Sequence, residues 1–200
     1  GRIEEAAACF DAARARCPDS PELQNNAAVL HANLGRLDDA EAGYRRALAL
    51  RPDYGDAWHN LGLLLMRRAR YPEALAALLA YRELRPGDAE GLNSLGNVYQ
   101  HLGRDDDAQA AYRQALVLRP AYAKTLNNLG TLLQRQDRLE AAEEAYRAAA
   151  AADAGYPEAR WNLGFLLLAQ GRLEEGWPWM EARYDPALAR PIAVAPRLAC

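Results

Sequence analysis

Side chains that carry out catalysis or hold metals are few in this sequence and are scattered along it. The histidines His31, His59 and His101 are far apart, and two of them without a third ligand make a weak metal site. Neither Cys9 nor Cys17 has a plausible paired base to activate its thiol, because both are predicted to lie on the outer helix of the incomplete first repeat. We therefore predict no catalytic residue, no bound metal and no cofactor in this chain.

Asparagine, by contrast, recurs at regular intervals. Asn26 and Asn60 lie 34 residues apart, and so do Asn128 and Asn162. An amide side chain both donates and accepts hydrogen bonds, so such a row can pair with the backbone of any peptide. Asparagine is a poor helix former, and its recurrence at one position of a repeat needs an explanation. Binding of an extended polypeptide is one explanation; bridging between helices, solvation of a polar face and simple repeat duplication are the others.

The elements that position these amides are repeats of 34 residues. Related hexamers such as GRIEEA, GRLDDA and GRLEEG begin at Gly1, Gly35, Ala69, Gly103, Asp137 and Gly171. Apolar residues at helical spacing on both sides of each hexamer predict two amphipathic helices per repeat. Gly35, Gly103 and Gly171 are predicted to end the first helix with a left-handed residue, and Pro72 fits the first turn of a second helix.

We count places within a repeat from Pro21, Gly55, Ala89, Ala123 and Pro157. Place 8 is always small, place 20 is alanine in four successive repeats, and place 32 is mostly proline. This pattern resembles the tetratricopeptide repeat family. The resemblance implies an all-α fold, a right-handed α-solenoid of tandem helix-turn-helix repeats. The small residues at places 8 and 20 are predicted to let the two helices of a repeat approach closely.

The repeat pattern sets the expected domain boundaries. One array is predicted over residues 1–184, followed by a proline-containing tail or linker over 185–200. The array is divided into a half repeat (1–20), four full repeats (21–54, 55–88, 89–122 and 123–156) and a degenerate last repeat (157–184). Because the sequence starts between two helices of a repeat, we expect it to be a piece of a longer protein.

In this family the first helix of each repeat lines a concave surface, which here is implied to carry two amide-rich rows at places 5 and 6. These rows resemble the asparagine ladder of O-linked N-acetylglucosamine transferases, which holds the backbone of an extended peptide. Apolar and basic side chains accompany the amides on the same face. The predicted peptide-binding residues are Asn26, Asn60, Asn93, Asn127, Asn128, Asn162, Trp161, Phe165, Leu63, Met66, Arg67 and Arg135.

The last repeat has a different character. Its sequence GRLEEGWPWMEARYDP resembles the last repeat of bacterial proteins in which such arrays precede a glycosyltransferase domain. The residues that match are Gly176, Trp177, Glu181 and Arg183. Trp177 and Trp179 are expected either to cap the last hydrophobic seam or to dock a following catalytic domain, which would begin after residue 200.

Composition narrows the remaining function classes. The net charge of −3 gives no basic surface for nucleic acid or for an anionic membrane, and no apolar run is long enough to span a bilayer. Three cysteines favour a reducing compartment, and we expect a cytoplasmic protein. The leading hypothesis is a protein- or peptide-binding scaffold. The alternatives are the acceptor-recognition region of a bacterial glycosyltransferase and a self-assembling scaffold whose incomplete first repeat accepts a neighbouring copy.

Overall fold

The computed structural model describes residues 2–181, except for the side chains of residues 2, 3, 6–8 and 11. In this part of the chain the regular structure is helical and contains no β-strand, which confirms the predicted all-α class. The helices fall into two units, one ending at Arg104 and the other beginning at Asp105. The helices of the first unit are α1 (Arg2–Arg16), α2 (Pro21–Asn33), α3 (Leu37–Leu50), α4 (Gly55–Arg67), α5 (Tyr71–Leu84) and α6 (Ala89–His101). Those of the second are α7 (Asp105–Leu118), α8 (Ala123–Arg135), α9 (Leu139–Ala152), α10 (Pro157–Ala169) and α11 (Leu173–Glu181).

First and second helices of the repeats alternate along each unit. The first helices α2, α4, α6, α8 and α10 begin at the residues from which the places are counted. Within the first unit each helix packs on the next, and α4 also contacts both α2 and α6. Within the second unit α10 likewise contacts α8 as well as its own second helix. First helices of neighbouring repeats therefore lie side by side and can share one exposed face.

A left-handed residue ends each first helix. The φ angles of Gly35, Gly103 and Gly171 are +76°, +71° and +77°, which confirms the prediction for these three glycines. Ala69 and Asp137 occupy the equivalent position with φ angles of +55° and +58°. At each of these turns the N–H of the next residue donates to a carbonyl five residues back, the signature of a Schellman motif.

Small residues at place 8 allow the two helices of a repeat to touch. A Cβ atom on Gly62 would lie 2.7 Å from Cγ of Leu78, and one on Gly130 would lie 2.7 Å from the ring of Tyr146. Ala142 at place 20 is fully buried. The predicted role of these positions is confirmed, because a larger side chain has no room there.

Ion pairs tie successive second helices together within each unit. In the first unit Arg70 binds Glu41 of α3 at 2.7 Å, and in the second unit Arg172 binds Glu143 of α9 at 2.6 Å. Arg147 also contacts Glu143, at 2.8 Å. Hydrogen bonds from Arg172 and Arg147 hold the pKa of Glu143 below its ordinary value of 4.5, against the opposing effect of burial. Over residues 2–181, none of the helices combines the length and the apolar character needed to cross a bilayer.

Candidate functional site

The second unit contains a pocket on the exposed face of its first helices. Its volume is about 340 Å³, and it is lined by Asn127 of α8 and by Pro157, Glu158, Trp161 and Asn162 of α10. The side chains of residues 158, 161 and 162 share one face of α10 because they are three and four residues apart. Nδ2 of Asn162 donates to Oδ1 of Asn127 at 2.8 Å, which joins the two helices at the pocket wall.

Further predicted residues of the second unit lie along the same face with different environments. Phe165, one turn after Trp161, is 53% exposed. Asn128 is half-buried. Arg135 is exposed but forms an ion pair with Asp105, in which Nη2 donates to Oδ1 at 2.7 Å and to Oδ2 at 3.0 Å. Of these three, Phe165 presents the largest apolar surface to a partner.

The first unit shows a related arrangement of amides. Nδ2 of Asn60 donates to Oδ1 of Asn25 at 3.1 Å, and Nδ2 of Asn25 donates to Oδ1 of Asn26 at 3.3 Å. One repeat later, Nε2 of His59 lies 3.3 Å from Oγ of Ser94. Asn26 is exposed, Asn60 is half-buried and Asn25 is only 4% exposed.

A common rule connects these contacts. Place 5 of one repeat bonds to place 6 of the next, 35 residues later, in the pairs Asn25–Asn60, His59–Ser94 and Asn127–Asn162. The place-5 amides are buried: Asn93 is 7% exposed and Asn127 is 6% exposed. The helix-bridging interpretation of the amide rows therefore holds for the pairs observed within each unit. Asn93 and Asn127, both predicted to bind peptide, expose little of their side chains.

An aromatic and acidic cluster beside His59 was not anticipated from the sequence. The rings of His59 and Tyr81 stack with centroids 4.7 Å apart, and the Tyr81 hydroxyl donates to Asp88 at 2.8 Å. Asp88 also accepts from the N–H of Gly91 and so caps α6. Burial lowers the pKa of His59 although nearby carboxylates act to raise it. A tyrosine at place 27, where the other repeats have alanine, is the signal that could have indicated this cluster.

The other predicted residues of the first unit lie near the end of α4. Leu63 is 36% exposed and Met66 is half-buried. Arg67 is exposed, and its Nη1 donates to the carbonyl oxygen of Ala32 at 3.3 Å. The ring of His101 stacks on that of Tyr71, with centroids 4.5 Å apart. Among the side chains that the structure describes, no three of His, Cys, Asp or Glu are grouped to hold a metal ion.

The two tryptophans of α11 have different environments. Trp179 packs against the hydrophobic clusters formed by α8, α9 and α10, which is the capping role considered for it. Trp177 is 56% exposed, as is Leu173 one turn earlier. Docking of another domain on Trp177 stays a prediction, and so does self-association. Arg183, the last residue of the glycosyltransferase-like motif, lies outside the described residues, as does the predicted tail.

Comparison with known proteins places the repeats in a wider context. Three family models described as tetratricopeptide repeat match the chain, over residues 88–154, over 1–55 with 127–189, and over 35–98. These models describe the repeat alone and give no support to the glycosyltransferase resemblance. None of the curated proteins compared with the chain matches it.

Several solved structures are similar in fold. MamA 41-end from Desulfovibrio magneticus RS-1 is 26% identical, with a TM-score of 0.71 over 76% of this chain and 86% of that one. PilF of Pseudomonas aeruginosa is 20% identical, with a TM-score of 0.79 over 94% of this chain and 86% of that one. YrrB is 21% identical, with a TM-score of 0.67 over 92% of this chain and 96% of that one. These similarities confirm the predicted α-solenoid class.

Proposed function

Because this chain belongs to the tetratricopeptide repeat family, we propose that it binds a protein or peptide partner and holds an extended polypeptide along the exposed faces of its first helices. The observation that carries this proposal is the exposure of large apolar side chains beside amides. Leu63 and Phe165 both occupy place 9, and the chain leaves 36% and 53% of them in contact with water. Apolar anchors flanked by polar groups are typical of surfaces that bind another chain. YrrB, similar in fold, is described as having an unusual peptide-binding site.

The amides at place 6 would pair with the backbone of the ligand. Asn60 and Asn162 each use Nδ2 to bond the preceding repeat, so their carbonyl oxygens can still accept from a peptide N–H. The buried partners Asn25 and Asn127 would act as positioning residues that fix these side chains before binding. A fixed amide loses less rotamer entropy when the ligand binds, and this favours affinity.

The proposal is tested by selection from a library of random ten-residue peptides followed by calorimetric titration of the enriched sequences. Replacing Asn60 and Asn128 together by alanine is expected to weaken binding by about 5- to 150-fold, the equivalent of about 1–3 kcal/mol for lost hydrogen bonds. Gln114→Ala, which removes an exposed amide from the second helix α7, is the matched control and should bind normally. Failure to enrich any peptide would contradict the proposal, and undiminished binding by the double variant would move the site away from the amides.

A further inference from the structure

We propose that the pocket on α10 receives an arginine side chain of the bound polypeptide. This inference rests on the proposed peptide-binding function and adds a sequence preference to it. The pocket walls combine the indole of Trp161 with the carboxylate of Glu158 and the amides of Asn127 and Asn162. An aromatic surface next to a carboxylate matches the two faces of a guanidinium group, which stacks on aromatic rings and donates hydrogen bonds in its plane.

Helical spacing brings these groups to one wall of the pocket. Glu158 precedes Trp161 by three residues and Asn162 by four, so the carboxylate, the indole and the amide lie on adjacent positions of α10. A guanidinium stacked on the indole therefore has the carboxylate and the carbonyl oxygen of Asn162 as nearby acceptors. Two neighbouring acceptors suit the several N–H donors of arginine better than the point charge of lysine.

Electrostatics at the start of α10 also favours a cation. A helix N-terminus carries roughly half a positive charge and by itself attracts anions. Here Glu158 contributes a full negative charge in the first turn, and Pro157 has no N–H to donate. The carboxylate of Glu158 thus offsets the positive end of the helix and offers a cation an ion-pair partner at the pocket.

Tryptophan occupies place 5 only in the last repeat, where Glu158 occupies place 2. At places 2 and 5 the preceding repeat has Lys124 and Asn127, and the repeat before it has Glu90 and Asn93. Neither of these repeats joins an aromatic ring to a carboxylate. The repeat 55–88 has Asp56 and His59 at these places, but the His59 ring is already stacked on Tyr81. The protein should therefore prefer arginine at one position of the ligand and not along the whole length of the ligand.

The first measurement uses a small probe and the intact chain. N-acetyl-L-arginine amide is titrated into ¹⁵N-labelled protein while the indole N–H signals are followed, with Trp161 assigned from Trp161→Phe. The Trp161 signal should move, while N-acetyl-L-citrulline amide, which has the shape of arginine without its charge, should leave it in place. Glu158→Gln should weaken the arginine probe by about 2- to 5-fold, the range for an exposed ion pair. Glu90→Gln, at the same place of another repeat, should not.

The second measurement repeats the peptide selection with these variants. Wild-type protein and Glu90→Gln should enrich arginine at one ligand position, and Glu158→Gln should lose that enrichment. Two results together would overturn the pocket assignment while the peptide-binding proposal stands. These are selected peptides without any preference for arginine, and a Trp161 signal that the citrulline probe shifts as far as the arginine probe does. A Trp161 shift with arginine but no enriched peptide would support the pocket and contradict the broader function. A shift produced by methyl glucoside and not by arginine would reassign the pocket to a neutral sugar and overturn the inference.

Discussion

The hydrogen bond between Asn127 and Asn162 allows the bridging role of the amides to be measured separately from binding. Asn127 is 6% exposed, and its Oδ1 accepts from Asn162 at 2.8 Å. Asn162→Ala removes the donor and leaves a buried acceptor unsatisfied, which is expected to lower the free energy of unfolding by about 1–3 kcal/mol. Asn127→Ala leaves the half-buried Nδ2 of Asn162 within reach of water, so the expected loss is smaller, about 0.5–1.5 kcal/mol.

The double variant should lose less free energy of unfolding than the sum of the losses in the two single variants, with a coupling energy of about 0.5–1.5 kcal/mol. Urea unfolding is followed by circular dichroism and by tryptophan fluorescence together, because repeat arrays do not always unfold in one transition. Gln114→Ala serves as the control and should change stability by less than about 0.5 kcal/mol, since its side chain is exposed on a second helix. Strictly additive losses would refute the bridge as a stabilising contact.

Two further predictions concern the turns and the ion pairs. Ala69→Gly should raise the free energy of unfolding by about 0.5–1 kcal/mol, because relief of the left-handed strain exceeds the added entropy of the unfolded chain. Gly103→Ala, whose Cβ would meet nothing within 4 Å, should lower the free energy of unfolding by a similar amount. If urea titrations showed that both substitutions change the free energy of unfolding in the same direction, this reasoning would be contradicted. Glu143 has a pKa held below its ordinary value, so its contribution is present above that value and is lost as the pH falls through the folded-state pKa. Glu143→Gln should therefore cost about 0.5–1 kcal/mol at about pH 7, and urea titrations at successively lower pH should show this cost shrinking. A cost that does not change with pH would contradict the ion-pair contribution.

The repeat architecture follows from the sequence because its determinants are local. Glycine at the end of a first helix and a small residue at place 8 each act within one repeat, and both predictions are confirmed at Gly35 and Gly130. Ala69 and Asp137 adopt the same left-handed conformation without being glycine. The repeated turn and its Schellman hydrogen bonds impose that conformation, and residue type alone does not reveal it.

The candidate site was less predictable because its contacts join different repeats. The recurrence of the amides is visible in the sequence, but the sequence does not distinguish the buried Asn127 from the half-buried Asn162. That distinction depends on how a first helix is rotated against its neighbour, which brings together residues 35 apart. The tryptophans of α11 illustrate the same limit: only packing separates Trp179, which covers the core, from the exposed Trp177.

Bridging and ligand binding are compatible explanations of the amide rows. An asparagine side chain offers two N–H donors and a carbonyl oxygen, and the bond to the preceding repeat uses one donor. The bridge fixes the rotamer of Asn162 and orients its remaining groups beside the pocket wall. If so, removing the buried Asn127 should weaken peptide binding without touching the ligand, by loosening Asn162. A variant that lost the coupling energy but kept full peptide affinity would show that the bridge serves stability alone.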